Sequence, residues 1–301
     1  MIDEINQMDW REVLERLQNI REQEDYSGFN VDFIRATLQS EDEKIRAGAA
    51  LAAEGCIMEP HILDLLLDLA ENDPSLAVRR AAIRPLGVII HEGILNNAED
   101  PEGADTTLDS VDDWNEIQEY SFQDNYLRVK DLLFRTLEDQ FEDPGVREAA
   151  LQAISDLGYL EEVRDWIREL VQSGRESSQL VAVRAMGKFP HYWIEELKQF
   201  LDLGTPKDLL LEAISSAYSS ESEILAERLL DVLESDDPEI ISFALLTLAN
   251  INKTPQLGEI LQKFSLYPSP IIQEAAKEAI NMYSGKSLDS FMKDQLGFSD
   301  E

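Results

Sequence analysis

Histidine and cysteine, the side chains that most often bind metals or act as nucleophiles, are few and scattered in this sequence of 301 residues. His61, His91 and His191 follow no metal-ligand spacing, such as two histidines at i and i+4 of one helix. Cys56, the single cysteine, lies in the apolar stretch AAEGCIM, which predicts a small buried side chain and leaves no second thiol for an internal disulfide. These residues predict neither a metal site nor a reactive thiol.

Carboxylates are abundant, but their spacing is not that of a catalytic or calcium site. Adjacent acids such as Glu161-Glu162 and Glu195-Glu196 are typical of solvated helix faces, where nothing tunes a carboxyl as a general acid. Neither EDPEGADTTLDS nor DTTLDSVDDWNE combines the alternating ligands, the sixth-position Gly and the twelfth-position Glu of an EF-hand loop. The sequence also contains no Gly-rich phosphate loop and no nucleophile elbow. We expect no catalytic residue, no metal and no cofactor.

The charge of the chain restricts the classes of partner. It carries 61 acidic and 26 basic residues, a net charge of −35. Nucleic acids and anionic membranes would be repelled, because proteins bind them through Lys and Arg. The first residues, MIDEINQMDWREVLERLQ, lack the features of a secretory signal, and no apolar run is long enough to predict a membrane span. We expect a monomeric, cytoplasmic protein with no nucleic-acid partner.

The elements that position these side chains are predicted to be helices, because one helical pattern recurs along the chain. Its clearest copy is EDPGVREAALQAISDLGYLEEV, residues 142–163, in which Asp143-Pro144 starts one helix and Gly158 ends it before the next begins. The pattern places small residues three and four positions after an apolar anchor, and apolar residues five and eight positions after it. The anchors are Ile45, Val78, Val146, Ser178, Leu209, Ile240 and Ile272.

The spacing of the anchors predicts a solenoid of helical hairpins. The steps between them are 33, 68, 32, 31, 31 and 32 residues, and a fixed period in this range is typical of stacked repeats. The step of 68 residues predicts that one unit is replaced or interrupted there. The fourth position after each anchor is alanine, which lets first helices of adjacent repeats approach closely. These alanines are Ala49, Ala82, Ala150, Ala182, Ala213, Ala244 and Ala276.

The segments DPGVREAALQAISDLG and DPSLAVRRAAIRPLG resemble HEAT repeats, especially the short bacterial type found in phycobilin lyase subunits. The resemblance covers residues 40–285 and implies an all-α fold, a right-handed α-solenoid of antiparallel helical hairpins forming a HEAT-like superhelix. In that family, Asp and Arg residues often form a ladder between neighbouring repeats. Three pairs fit that role: Asp42 with Arg46, Asp73 with Arg79, and Asp143 with Arg147. In the later copies the arginine is replaced by Gln179, Leu210, Ile241 and Gln273.

The predicted domain organisation has three parts and an insertion. Residues 1–40 are N-terminal capping helices, 41–285 the repeat solenoid, and 286–301 a C-terminal capping helix with an acidic tail. Residues 93–124 lie within a stretch without Lys or Arg between Arg84 and Arg128, and their turn formers and acids predict a long acidic loop. This loop is either tolerated decoration or a segment that recruits a basic partner.

The resemblance implies that second helices line the concave, partner-binding face. We therefore predict a non-enzymatic scaffold or adaptor that binds a basic protein or a Lys/Arg-rich segment. Two alternatives stay open: an accessory subunit similar to a bilin lyase or a chaperone, and a generic scaffold whose acidity reflects a saline cytoplasm. The candidate partner-binding residues are Asp109, Asp112, Asp113, Trp114, Glu116, Asp131, Glu138, Glu162, Asp165, Glu169, Tyr192, Glu195 and Glu227.

Overall fold

The computed structural model describes residues 8–96, 113–251 and 256–296, and within them it describes no side chains for 113–121 and 285–296. These residues form α-helices, short 3-10 helices and turns, with no strand among them. The chain divides into two compact units, Met1–Trp166 and Ile167–Glu301. None of the described helices is long and apolar enough to cross a membrane.

The first unit stacks helical hairpins in sequence order. First helices α1, α3 and α5 pack in succession, and second helices α2 and α4 pack beside each other. Helix α9 begins in this unit and ends in the second. The helices are α1 (Trp10–Gln23), α2 (Gly28–Leu38), α3 (Glu43–Ala52), α4 (Pro60–Asn72), α5 (Leu76–Ile83), α6 (Leu86–Leu95), α7 (Asp113–Glu138), α8 (Pro144–Ile154) and α9 (Glu161–Gln172).

The second unit repeats the same arrangement. First helices α10, α12, α14 and α16 pack in succession, and second helices α11 and α13 contact each other. The helices are α10 (Glu176–Met186), α11 (Ile194–Phe200), α12 (Lys207–Ala217), α13 (Glu223–Val232), α14 (Pro238–Ile251), α15 (Leu257–Phe264) and α16 (Pro270–Leu296).

The residues of the repeat pattern form the core, as predicted. All seven anchors are buried, and the alanine four positions after each is fully buried. First helices approach closely: a methyl group added to Gly187 would lie 2.8 Å from Oγ of Ser216 in the next first helix. Asp143 caps α8 by accepting from the amides of Gly145 at 2.9 Å and Val146 at 3.2 Å. The prediction of an all-α solenoid of helical hairpins is confirmed.

The 68-residue step contains one enlarged hairpin. Its first helix is broken into α5 and α6 at Pro85, which cannot continue the hydrogen-bond ladder, and both parts pack on α8. Its second helix, α7, has 26 residues and contacts both α6 and α4. Gly93 of α6 lies against the buried ring of Tyr126, with no room for a side chain of its own. The predicted interruption is therefore an expansion within a single repeat.

The prediction of a loop over the whole of 93–124 is wrong. Residues 93–95 belong to α6 and residues 113–124 to α7, while 97–112 lie outside the described residues. The segment DWNEIQEYSFQD contains no Gly or Pro to stop a helix, and acids near a helix N-terminus are stabilised by its dipole. Its lack of an apolar period concealed the helix, which is anchored further along by the buried Tyr126, Val129 and Leu133.

The two ends differ in how well the sequence predicted them. The N-terminal helical pair is present, with Val13 and Leu17 buried and Trp10 and Leu14 half-buried. A separate C-terminal capping helix over 286–301 is wrong, because α16 runs without a break from Pro270 to Leu296. The predicted boundary follows Gly285, but a single glycine is tolerated inside a helix at a cost of about 1 kcal/mol.

Candidate functional site

An arginine ladder links neighbouring repeats of the first unit, but its acids differ from those predicted. Arg46 forms a two-pronged ion pair with Asp73 of the next repeat, at 2.7 Å from Nε and 3.1 Å from Nη2. Burial alone would raise the pKa of Asp73, but hydrogen bonds from Arg46 and the Ser75 amide bring it below its ordinary value. Asp42 instead caps α3, accepting from the Lys44 amide at 2.8 Å.

The other two ladder arginines, Arg79 and Arg147, each donate to a backbone carbonyl at the end of the preceding second helix. Arg79 pairs with Glu142 at 2.7 Å and also donates to the carbonyl of Asp73 at 3.2 Å. Arg147 donates to the carbonyl of Leu137 at 2.9 Å. These bonds tie each first helix to the end of the preceding second helix.

The glutamines that replace arginine in later repeats keep that tie. Gln179 donates to the carbonyl of Val171 at 3.2 Å, and Gln273 to that of Tyr267 at 2.7 Å. The neutral amide of glutamine thus keeps the hydrogen bond to the preceding second helix, but it cannot form the ion pair that arginine forms. Links between repeats in the second unit come from other side chains.

Lys207 provides such a link in the second unit. Its Nζ lies 2.8 Å from Oδ2 of Asp237 and 2.7 Å from Oε2 of Glu239, at the start of the next first helix. Hydrogen bonds to Asp237 and then Glu239 raise the pKa of Lys207 above its ordinary value. These charged clusters join helix ends, so we assign them to the architecture of the array.

The second-helix candidates are all at the surface. Tyr192 is also exposed, as predicted, whereas the adjacent Trp193 is buried with the Arg168 guanidinium 5.3 Å from its ring centroid. Asp109 and Asp112 lie outside the described residues, and Asp113, Trp114 and Glu116 lie in the part of α7 without described side chains. The exposed carboxylates are Asp131, Glu138, Glu162, Asp165, Glu169, Glu195 and Glu227.

Arginines of α7 compensate part of this acidic surface in the first unit. Arg128 lies 2.7 Å from Asp64 of α4, and Arg135 lies 2.7 Å from Glu71 of α4. Arg135 also pairs with the candidate Asp131 at 2.9 Å. Sequence reasoning missed this compensation because the paired residues are 64 positions apart in the chain. Opposite charges therefore link these neighbouring second helices at the surface.

Within the described part of the chain, the histidines and the cysteine do not come together in one site. Nδ1 of the exposed His91 lies 3.1 Å from Oδ2 of Asp156, and the exposed His191 packs its ring 4.1 Å from that of Tyr192. Among the described residues, no group of three His, Cys, Asp or Glu could hold a metal ion. Cys56 is buried, as predicted, and burial raises the pKa of its thiol to about 11.

No protein-family profile matches the sequence. No curated protein matches it either. Solved structures of HEAT- and armadillo-type repeat proteins are similar to it. One is a mutant of Kap121p, with 15% identity and a TM-score of 0.45 over 89% of this chain and 36% of that chain. Another is the complex of CpcE and CpcF of phycocyanin lyase from Nostoc sp. PCC7120, with 17% identity and a TM-score of 0.39 over 84% and 93% of the two chains. A designed armadillo repeat protein has 17% identity and a TM-score of 0.33 over 83% and 98%.

Proposed function

We propose that this protein is a non-enzymatic scaffold that binds a basic protein or a Lys/Arg-rich segment through exposed carboxylates of its second helices. The observation that carries the proposal is the position of these carboxylates on the second helices. Each described candidate acid lies on the exposed side of a second helix whose opposite side is buried in the array. A stacked array repeats that placement, so an extended basic segment could meet one helix after another.

Coulomb attraction determines the affinity, the association rate and the salt dependence of such binding. An exposed ion pair contributes at most about 1 kcal/mol, so affinity requires several pairs acting together. A net charge of −35 also draws a basic partner towards the surface and speeds association. Both effects weaken as salt is added. Tyr192, which is exposed and lies three residues before Glu195 in the chain, adds an aromatic ring on which an arginine of the partner can stack.

Glu195 and Glu227, on second helices of the second unit, are the acids that test this site best. Arg128 and Arg135 already lie against Asp64, Glu71 and Asp131 in the first unit. In α11, the Lys198 ammonium is 3.9 Å from Glu195, a separation that leaves the carboxylate open to a closer partner. Glu227 lies on α13, which packs beside α11.

A charge-neutralisation experiment tests the proposal. Binding of a fluorescein-labelled peptide of alternating Lys and Arg is measured by anisotropy for the wild type and for a variant carrying Glu195→Gln and Glu227→Gln. We expect the variant to bind about three- to tenfold more weakly at low salt, and the difference to shrink at about 0.5 M NaCl. The matched control carries Asp208→Asn and Glu274→Gln, which remove the same charge from exposed positions of first helices.

The outcomes distinguish a scaffold for a basic partner from the two alternatives, a salt-adapted scaffold and an accessory subunit similar to a bilin lyase. Equal weakening by both variants would indicate a generic effect of net charge, as in a salt-adapted protein. Absence of peptide binding by the wild type would contradict the proposal. An absorbance shift on mixing with a bilin, without peptide binding, would favour the accessory subunit similar to a bilin lyase.

A further inference from the structure

The turn between α7 and α8 presents a phenylalanine to solvent. Phe141 is 99% exposed. Phe29, another exposed phenylalanine of the first unit, is 62% exposed and has the Arg16 guanidinium 5.0 Å from its ring centroid. The Phe141 side chain therefore adds almost nothing to the packing of the array.

The turn itself is firmly held. The amide of Phe141 donates to Oδ1 of Asp139 at 2.8 Å, which fixes the backbone at the phenylalanine. Oε1 of the next residue, Glu142, accepts from Arg79 at 2.7 Å and from the Asp143 amide at 2.6 Å. Arg147 fixes the other side of the turn by donating to the carbonyl of Leu137. Because the backbone of this turn is already fixed, binding of the ring costs little backbone entropy.

Charge indicates what can cover this ring. Glu138 and Asp139 precede it and are exposed, and the chain as a whole repels a second copy of itself. A surface that buries Phe141 must therefore offer an apolar pocket with basic residues around it. Exposed anchors of this type, aromatic and surrounded by polar groups, dominate the affinity of many protein interfaces.

We infer that Phe141 is an anchor side chain that inserts into an apolar pocket, rimmed by Lys or Arg, on a protein partner. The inference rests on the proposed function for the sign of the partner's charge and adds a contact that is not electrostatic. Equivalent turns of the second unit also present apolar side chains, with Leu203 half-exposed and Leu266 84% exposed.

The test compares two peptide probes on the full-length protein. One is an amphipathic helical peptide of Lys and Leu, whose apolar face is bordered by lysines, and the other contains Lys alone. We expect Phe141→Ala to weaken binding of the Lys/Leu peptide about tenfold or more, and to leave binding of the Lys peptide unchanged. Phe141→Trp should retain binding. Phe29→Ala is the matched control and should change neither affinity.

The other possible results contradict either the Phe141 anchor alone or the proposed binding of a basic partner as well. If the wild type binds both peptides and Phe141→Ala weakens neither, or weakens both equally, the anchor is wrong while the proposed function stands. If the wild type binds neither peptide, both fail. If sedimentation shows a wild-type dimer that Phe141→Ala dissociates, the ring belongs to a self-association contact. The melting temperature of Phe141→Ala should equal that of the wild type, because the exposed ring makes no packing contact that stabilises the fold. A lower melting temperature would contradict this premise.

Discussion

Arg79 and Glu142 lie 63 residues apart in the chain, yet Nη2 of the arginine is 2.7 Å from Oε1 of the carboxylate. The arginine belongs to α5, before the long step of the repeat, and the glutamate to the turn that leads into α8, after it. The pair therefore joins consecutive repeats across the interruption.

Breaking this pair should destabilise the first unit. Both side chains are mostly buried, so Glu142→Ala leaves the Arg79 guanidinium with reduced compensation, and we expect the free energy of unfolding to fall by about 2 kcal/mol. Urea denaturation followed by circular dichroism measures the change. Arg128→Ala is the control: its pair with Asp64 is about half-exposed, and we expect a loss of less than about 1 kcal/mol. Equal losses would contradict the role assigned to burial.

The Arg46–Asp73 pair should make stability depend on pH. The folded state lowers the pKa of Asp73 below its unfolded value of about 4, so the associated stability is present above about pH 4 and is lost as pH falls through the folded pKa. Asp73→Asn should therefore be less stable than the wild type near pH 6, and the gap should narrow as pH falls below about 4. Urea midpoints at several pH values test this. A gap independent of pH would show that the carboxylate charge is not what Arg46 requires.

Gly187→Ala should destabilise the second unit. The added methyl group would lie 2.8 Å from Oγ and 3.0 Å from Cα of Ser216, whose hydroxyl donates to the carbonyl of Val183 at 2.8 Å. Overpacking at such a close approach costs about 1–3 kcal/mol. Gly28→Ala is the comparison, because nothing lies within 4 Å of the added carbon. Thermal melting should show a lower midpoint for the first variant and little change for the second.

The thiol of Cys56 should be unreactive in the folded protein. Burial, and then the charge of Glu59, raise its pKa to about 11, so the thiolate is scarce near neutral pH. A chromogenic thiol reagent should label the native protein slowly and the urea-unfolded protein rapidly at the same pH. Rapid native labelling would mean that the helices around Cys56 open readily.

The repeat pattern predicted the fold well because it records which side chains are buried. Every anchor from Ile45 to Ile272 is in the core. The ladder partners were harder to predict: Arg46 and Asp73 are 27 residues apart, and the nearer acid, Asp42, serves as a helix cap. The start of α7 was missed because its helix lacks an apolar period there.

The candidate site was predictable only in part, for a related reason. Helical periodicity gives the side of a second helix that is exposed, which placed Glu195 and Glu227 correctly at the surface. It does not show which charges of a neighbouring helix lie opposite, so the compensation by Arg128 and Arg135 was not foreseen. The partner of the remaining acids stays a prediction.

The enlarged hairpin has a consequence for how the array could be engineered. Its helices α5, α6 and α7 reach the neighbours that an ordinary hairpin would reach, although the chain between Val78 and Val146 is about twice the usual length. The stacking order therefore depends on which helices are neighbours and not on a fixed length of chain per repeat. Repeats added to or removed from the array should therefore be whole hairpins, from one anchor to the next, and not fixed lengths of about 32 residues.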